Sequence, residues 1–142
     1  MMKLAGLDEK DLRLLSILKR NSRTSYSYIA RELGITESAV RKRIKKLVRS
    51  GVVKRFTIEY SLPGSFTAVI LVRTNNTRPV PQVAERIAAY THVEKVMEVT
   101  GDYDIIAIAA AQDIEDINRL IDYIRGIEGV HSTYTMIVLR EH

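Results

Sequence analysis

The chain has 142 residues and a net charge of +5, and 46% of its residues are hydrophobic, which is enough for packed cores and argues against intrinsic disorder. It contains no cysteine, which excludes disulfide bonds and thiolate metal sites. The N-terminus lacks the apolar run of a signal peptide, and no stretch approaches the ~20 apolar residues of a membrane span. We therefore expect a soluble, cytoplasmic protein with no membrane partner.

The charge is divided unevenly along the chain. Residues 1–60 contain 15 Lys and Arg and six Asp and Glu, a net charge of +9. Residues 61–142 contain seven basic and 11 acidic residues, a net charge of −4. This polarity predicts two parts with different partners, and we expect the basic part to bind a polyanion.

The first predicted helix covers residues 9–20. Asp8 is placed to cap its N-terminus, and Asp11 is placed to complete a capping box. The apolar side of this helix is assigned to Leu12, Leu15, Ile17 and Leu18.

Two further helices follow within the basic part. The second begins near Thr24 or Ser25 and ends at Gly34, and we expect Tyr28, Ile29 and Leu33 to be buried. Thr36 caps the third helix, which runs to about Ser50 and buries a narrow stripe of Val40, Ile44 and Leu47. This order of helices, with a short glycine-containing turn before a cationic helix, is typical of a helix-turn-helix that enters the major groove.

The narrow stripe leaves most of the third helix free to face the phosphates of duplex DNA, and short residues at its N-terminus permit close approach. The residues predicted to bind DNA are Thr36, Glu37, Ser38, Arg41, Lys42, Arg43, Lys45, Lys46 and Arg49. The alternative is a solvated basic face on an ordinary three-helix bundle. The position of the charges, directly after a helix and a glycine turn, favours DNA.

The remaining sequence predicts a connecting strand over 52–60, a turn at Leu62-Pro63-Gly64, and then alternating strands and helices. The elements after the turn are a strand over 66–73, a helix over 79–90, a strand through 93–99, a strand over 105–111, a helix capped by Asp113 and Asp116, and a strand over 131–139. In the last helix Ile114, Ile117, Ile121 and Ile124 repeat at helical spacing.

This order predicts an α+β chain in which a three-helix helix-turn-helix domain precedes a ferredoxin-like βαββαβ domain with an antiparallel four-stranded sheet. We expect a DNA-binding domain at 1–51, a connecting strand and turn at 52–64, and a second domain at 65–142. Both helices of that domain lie on one face of the sheet. The open face needs a cover, which implies self-association through residues such as Phe66, Val69 and Met136.

Nearly the whole chain resembles the Lrp/AsnC (leucine-responsive, feast/famine) family of transcription regulators. The matching residues are LDEKDLRLLSILKRNSR at the first helix and YIARELGITESAVRKRIKKLVRSGVVKRFTIEYS through the helix-turn-helix. The resemblance implies a transcription regulator with a C-terminal domain that senses a small amino acid. It also implies dimers formed by face-to-face packing of the sheets, which commonly assemble into tetramers or octamers. The two-fold symmetry of a dimer predicts a pseudo-palindromic DNA site.

The resemblance further implies that the effector binds between subunits, at the turn formed by Gly101, Asp102, Tyr103 and Asp104 and at Thr133 and Thr135 in the last strand. Unpaired backbone amides of a tight turn suit an α-carboxylate, and Asp102 or Asp104 suits the α-ammonium group. The alternative is a plain hairpin turn with ordinary strand threonines.

Other functions are less well supported. There is no HExxH, phosphate-loop, dinucleotide-binding or nucleophile-elbow motif, so we expect no catalytic residues, no metal and no cofactor. An amino-acid-binding regulatory subunit leaves the +9 segment unexplained. A nonspecific architectural DNA-binding protein remains open, whereas the absence of aromatic residues from the third helix disfavours recognition of single-stranded RNA.

Overall fold

The computed structural model describes residues 6–142. The chain forms two compact units, one ending at Tyr60 and one formed by Ser61–His142. No helix in the described part of the chain is long and apolar enough to cross a membrane.

The first unit consists of α1 (Glu9–Arg20), α2 (Tyr26–Leu33) and α3 (Glu37–Arg49). Asp8 and Asp11 form the predicted capping box at the start of α1, and Ser25 and Thr36 cap the next two helices. Gly34 ends α2 with φ 63°, a left-handed conformation that glycine adopts without steric cost.

The core of the first unit confirms the stripe on α3 and corrects the faces of the two shorter helices. Leu14 is fully buried, whereas Leu12 is 44% exposed, because the buried positions of α1 follow the spacing 11, 14 and 18. Tyr28 is 45% exposed, so the prediction that it is buried is wrong. The buried residues of α2 are Ile29, Ala30 and Leu33. The buried residues of this core are Leu14, Leu18, Ile29, Ala30, Leu33, Val40, Ile44 and Leu47.

The predicted strand over 52–60 does not form within the described chain. Residues 54–63 adopt neither helix nor strand, although their sequence alternates in the manner of a strand. A strand requires a ladder partner, and the described chain offers none to this segment.

The second unit has the predicted order of strands and helices. Its elements are β1 (Phe66–Thr74), α4 (Val80–Ala88), β2 (Val93–Glu98), β3 (Ile105–Ala111), α5 (Ile114–Arg125) and β4 (Val130–Ile137). The strands form one antiparallel sheet in the order β2-β3-β1-β4. This confirms the ferredoxin-like arrangement.

One face of the sheet is buried against α4 and α5. Ile70 of β1 and Ala107 of β3 are fully buried and directly paired, and they pack with α4 residues such as Ile87 and α5 residues such as Leu120. On α5, Leu120 is buried and Ile114 is 54% exposed, contrary to the predicted stripe. Phe66 packs against this helix-side core and therefore does not cover the open face as predicted.

The other face of the sheet is apolar and open. Val69 pairs with Ile108 of β3 and Met136 of β4, and Leu71 pairs with Ile106 and Tyr134. Directly opposite residues share a face, so these side chains form one surface. Tyr134 and Met136 are 56% and 42% exposed.

The predicted capping box on α5 is incomplete. Asp113 accepts a hydrogen bond from the amide of Glu115 at 2.9 Å. The carboxylate of Asp116 instead lies 3.7 Å from Nε2 of His92 and 3.8 Å from the guanidinium of Arg119. Asp113 therefore caps α5 without the reciprocal contact.

Candidate DNA interface and effector turn

The predicted DNA-binding residues separate into two groups on α3. Arg41, Lys42, Lys45 and Arg49 are exposed, as are Glu37 and Ser38 at the first turn. Because neighbours at three and four positions share a helix face, Ser38, Arg41, Lys42, Lys45 and Arg49 form one continuous surface. We name this surface, with Glu37, the cationic arc.

Arg41 is held in place by an aromatic contact from the neighbouring helix. Its guanidinium carbon lies 5.0 Å from the centroid of the Tyr26 ring, at the start of α2. This cation–π contact restricts the guanidinium while leaving it at the surface. No local pattern predicts this partner, because the contact joins two helices across the turn.

Thr36 uses its hydroxyl within the helix. The side-chain oxygen accepts a hydrogen bond from the amide of Ala39 at 3.1 Å, which satisfies one of the free donors at the N-terminus of α3. Thr36 itself is exposed.

Arg43 faces α1 and not the cationic arc. One terminal nitrogen donates to both carboxylate oxygens of Asp8, at 2.8 and 2.7 Å, and to Asp11 at 2.7 Å. Asp11 is the buried charged residue of this unit, with 1% exposure. We name these three residues the α1–α3 clamp.

The clamp has two electrostatic consequences. Hydrogen bonds from Arg43 hold the pKa of Asp8 below its ordinary value, and the Asp11 amide acts in the same direction. The pKa of Arg43 is raised by Asp8 and then by Asp11, so this residue remains charged at any working pH. Both effects favour the ion pair.

Lys46 also points toward the start of the described chain. Its ammonium group donates to the backbone carbonyl of Gly6 at 2.9 Å. Arg43 therefore contacts the start of α1 and Lys46 contacts the segment before it, although Lys46 remains exposed. Their contact with DNA stays a prediction. The spacing of the buried stripe predicts this division, because positions 43 and 46 lie on the flank opposite positions 41 and 45.

The predicted effector turn is a closed hairpin end between β2 and β3. The amide of Val99 donates to the carbonyl of Asp104 at 2.9 Å, and the amide of Asp104 donates to Val72 on β1 at 2.9 Å. Gly101 has φ 116°, which a residue with a side chain rarely adopts. Within residues 6–142, the amides of Gly101, Asp102 and Tyr103 have no hydrogen-bond partner.

Asp104 fixes this turn to the end of β1. Its Oδ2 accepts from the backbone amide of Thr74 at 2.7 Å and from the Thr74 hydroxyl at 2.9 Å. Asp102 is exposed, and within the described residues its carboxylate has no hydrogen-bond partner or ion pair. Of the two acids, Asp102 is the more accessible to a ligand ammonium group.

Arg73 joins the turn, although the sequence analysis did not select it. Its Nε donates to the carbonyl of Asp102 at 2.7 Å, and its guanidinium carbon lies 4.9 Å from the centroid of the Tyr103 ring. No carboxylate of the described chain pairs with it. The available sequence signal was the position of this basic residue at the end of an apolar strand.

The two predicted strand threonines lie on β4 and not on the strands that the turn connects. Thr133 pairs with Val72 and Thr135 with Ile70, so both are on the helix side of β4. The hydroxyl of Thr133 accepts a hydrogen bond from Arg125 of α5 at 3.2 Å. Within one chain, Arg73 contacts the turn at Gly101–Asp104, and no side-chain hydrogen bond among the described residues joins Thr133 or Thr135 to it.

Among residues 6–142, no three His, Cys, Asp or Glu side chains lie close enough to hold a metal ion. Asp104, Asp113 and Asp116 instead make the turn, cap and helix contacts described above.

Two domain families match successive parts of this chain. Residues 7–54 match a winged helix-turn-helix DNA-binding domain, and residues 67–142 match the Lrp/AsnC ligand-binding domain. The first match contains the cationic arc, and the second contains the turn at Gly101–Asp104.

Known proteins are similar over nearly the full length. The HTH-type transcriptional regulator LysM of Saccharolobus solfataricus is 49% identical over 136 residues, which is 96% of this chain and 96% of that protein. The HTH-type transcriptional regulator FL11 of Pyrococcus horikoshii is 37% identical over 139 residues, 96% of this chain and 91% of that protein.

A solved structure supports the fold. The complex of a transcriptional regulator of Neisseria meningitidis with L-Met has a TM-score of 0.82 to this chain, covers 95% of it and 91% of the other chain, and is 21% identical. These similar proteins are transcriptional regulators and not enzymes, in agreement with the expectation from the sequence. The chain belongs to the Lrp/AsnC family, as a DNA-binding transcription regulator with a C-terminal ligand-binding domain.

Proposed function

We propose that this regulator binds a specific pseudo-palindromic site as a homodimer and that a small amino acid modulates its binding. The observation that carries the DNA part is the cationic arc, in which Arg41, Lys42, Lys45 and Arg49 stand exposed on the helix that follows the glycine turn. Thr36, Glu37 and Ser38 are proposed to approach the backbone or bases at the helix N-terminus.

A dimer with two-fold symmetry presents two copies of α3. Half-sites on the DNA are then expected about one or two helical turns apart, roughly 34–36 Å per turn. If each subunit neutralises about 3–5 phosphates, the logarithm of affinity falls against the logarithm of salt concentration with a slope of roughly −6 to −9. Larger assemblies, tetramers or octamers, belong to the same proposal.

We place the effector at the turn formed by Gly101, Asp102, Tyr103 and Asp104, with Arg73 as an added contact. The free amides and the Arg73 guanidinium suit an α-carboxylate, and the exposed Asp102 carboxylate suits an α-ammonium group. The complex of the Neisseria meningitidis regulator with L-Met supports an amino acid as the class of ligand. Thr133 and Thr135 belong to the proposed site only if part of the effector, or a second subunit, contacts the helix side of β4.

The experiment is a selection of bound fragments from random duplex DNA, carried out with and without each of the common amino acids. A recovered site with two-fold symmetry, and a change in yield with one class of amino acid, is the expected result. Equal affinity for selected and random duplex would instead indicate a nonspecific architectural protein.

A further inference from the structure

Tyr26 is the first residue of α2, and its ring packs against the core of the first unit. Ser25 caps the same helix end, because its side chain accepts a hydrogen bond from the amide of Tyr28. The ring therefore extends from a fixed helix end and is held on one side by buried apolar residues. An aromatic ring in such a position presents a flat, electron-rich face to a neighbouring cation.

Arg41 of α3 lies over this face, with its guanidinium carbon 5.0 Å from the centre of the ring. Among residues 6–142, the other cations of the cationic arc make no side-chain hydrogen bond, ion pair or ring contact; these are Lys42, Lys45 and Arg49. Arg41 is therefore the cation of the arc whose direction the fold restricts. Its N–H donors make no hydrogen bond to the described residues, so they stay available to an acceptor on DNA.

Arg41 lies on the flank of α3 and not at the middle of its outward side. Its neighbours three and four positions along the helix are the buried Ile44 and the exposed Lys45. The contact with Tyr26 places this flank on the side of α2. In a helix-turn-helix the recognition helix enters the major groove and the helix before it crosses the phosphate backbone, so a side chain between these two helices faces a phosphate.

We propose that Tyr26 is a positioning residue for DNA binding, and that its ring holds the Arg41 guanidinium where it donates to a phosphate of the DNA backbone. A guanidinium can donate two parallel hydrogen bonds to one phosphate, and such a contact requires a defined orientation. A side chain that is already held in this orientation loses less freedom on binding than a mobile one. The inference rests on the proposed function, because it takes the cationic arc as the surface that binds DNA.

Two substitutions of Tyr26 test whether the ring is the important part. Tyr26→Leu keeps a large apolar side chain against the core and removes the ring, whereas Tyr26→Phe keeps the ring and removes the hydroxyl. A gel shift is expected to show an affinity for duplex DNA about fivefold lower for Tyr26→Leu and within about twofold of the wild type for Tyr26→Phe. An equal loss in both variants would assign the effect to the hydroxyl and would overturn the positioning role.

A double-mutant cycle tests whether Tyr26 acts through Arg41. In an Arg41→Met background there is no guanidinium to hold, so Tyr26→Leu is expected to lower affinity by less than about twofold. In a Lys45→Met background, which removes the neighbouring exposed charge, the loss of about fivefold is expected to remain. A general disturbance of the helix-turn-helix would produce equal losses in both backgrounds, and this result would contradict the inference.

Tyr28→Leu is the matched control, since Tyr28 belongs to the same helix, is 45% exposed and has no cation over its ring among the described residues. The affinity of this variant for duplex DNA is expected to equal that of the wild type. A loss as large as that of Tyr26→Leu would show that removal of either tyrosine ring from α2 weakens binding, and would rule out a particular role for Tyr26.

The wild-type protein provides a test that requires no substitution. The ring current of Tyr26 is expected to shift the side-chain proton resonances of Arg41 upfield in the free protein. Titration with duplex DNA is expected to preserve this shift, because the ring and the guanidinium stay together in the complex. Loss of the shift on DNA binding would mean that Arg41 leaves the ring to reach DNA, and the proposed positioning would be wrong.

These outcomes distinguish a failure of the inference from a failure of the proposed DNA surface. Unchanged affinity in both Arg41→Met and Lys45→Met would show that the cationic arc does not bind DNA, and the proposed interface and the inference would both be lost. Reduced affinity in these two variants, together with wild-type affinity in Tyr26→Leu, would retain the proposed interface and overturn the role of Tyr26.

Discussion

The guanidinium of Arg43 lies 2.7 Å from the carboxylate of Asp11, a residue that is 1% exposed at the start of α1. Arg43 belongs by sequence to the run of cations on α3, yet it forms ion pairs with two acids of the first helix and its side chain is only 26% exposed. The other cations of the run, Arg41, Lys42, Lys45, Lys46 and Arg49, are exposed. The clamp fixes the first helix against the third, and so supports the helix that carries the cationic arc.

We expect Arg43→Met to lower mainly the stability of the protein and Arg41→Met to lower mainly its DNA affinity, although both remove one charge from the same helix. Arg43→Met leaves the buried Asp11 charge without its partner and is expected to cost about 2–4 kcal/mol of unfolding free energy. Arg41→Met is expected to change stability by less than about 0.5 kcal/mol and to lower DNA affinity, because Arg41 is exposed. Urea unfolding measures the first effect and a gel shift at several salt concentrations the second.

The salt dependence distinguishes the two roles. Loss of a phosphate contact reduces the salt slope by about one per subunit, so Arg41→Met is expected to show this reduction. Arg43→Met, measured where it is folded, is expected to keep the wild-type slope. A reduced slope in Arg43→Met would return this residue to the DNA surface.

The clamp also predicts a loss of stability in acid. The pKa of Asp8 in the folded protein is lowered from its ordinary 3.8, chiefly by the hydrogen bonds from Arg43. A lowered folded-state pKa contributes stability above the unfolded value, and this contribution is lost as pH falls through the folded value. The wild type is therefore expected to lose stability below about pH 4.

Thermal unfolding between pH 5 and 2 measures this loss, with Asp8→Asn as the comparison. This variant has no carboxylate at position 8 and is expected to lose less stability over the same range. Parallel curves for the two proteins would show that Asp8 contributes nothing to the acid transition.

The helix ends and the order of elements were predicted correctly because local signals in the sequence mark them. Caps such as Asp8 and Thr36, and the glycine at position 34, fix where helices begin and end, and the order of elements then determines the ferredoxin-like topology. Leu12 was misplaced because a run of apolar residues in α1 supports more than one stripe, and only packing against α2 and α3 selects Leu14.

The site residues were harder to predict for a different reason. The direction of Arg43, and the contacts of Arg73 with Asp102 and Tyr103, depend on residues about 30 positions away. Composition and spacing identify a cationic helix and a tight turn, but tertiary contacts decide which side chains are free. The strand predicted over 52–60 failed similarly, because a strand requires a ladder partner and the described chain offers none to this segment.

The open face of the sheet is expected to form a dimer contact. Val69 lies between Ile108 and Met136 at the middle of this face. Val69→Glu introduces a charge that is tolerated in water and costly in an apolar interface. Sedimentation at several protein concentrations is expected to show a dissociation constant raised about tenfold or more, which corresponds to at least 1.4 kcal/mol.

Thr77→Glu is a suitable comparison for Val69→Glu, since Thr77 is exposed in the loop after β1. It adds the same charge outside the apolar face and is expected to leave the dimer unchanged. If both variants behave as wild type, the open face is not the dimer contact.

Substitutions of the two acids of the effector turn are expected to have different effects, one on stability and the other on effector affinity. Asp104→Ala removes the acceptor of the Thr74 amide and hydroxyl, and is expected to cost about 1–2 kcal/mol of stability. Asp102→Asn leaves those hydrogen bonds intact, so its unfolding is expected to match the wild type while its affinity for an amino acid falls. Calorimetric titration with the amino acid that alters DNA selection measures the affinity.

Arg73→Gln is the partner of this comparison, because it removes the charge that faces the ligand carboxylate in the proposed site. We expect it to weaken binding of an amino acid more than binding of the corresponding amine, which lacks the carboxylate. Asp102→Asn is expected to show the reverse preference, with its larger loss for ligands that carry the ammonium group. If neither variant changes affinity, the effector binds elsewhere, and the turn serves only to connect β2 to β3.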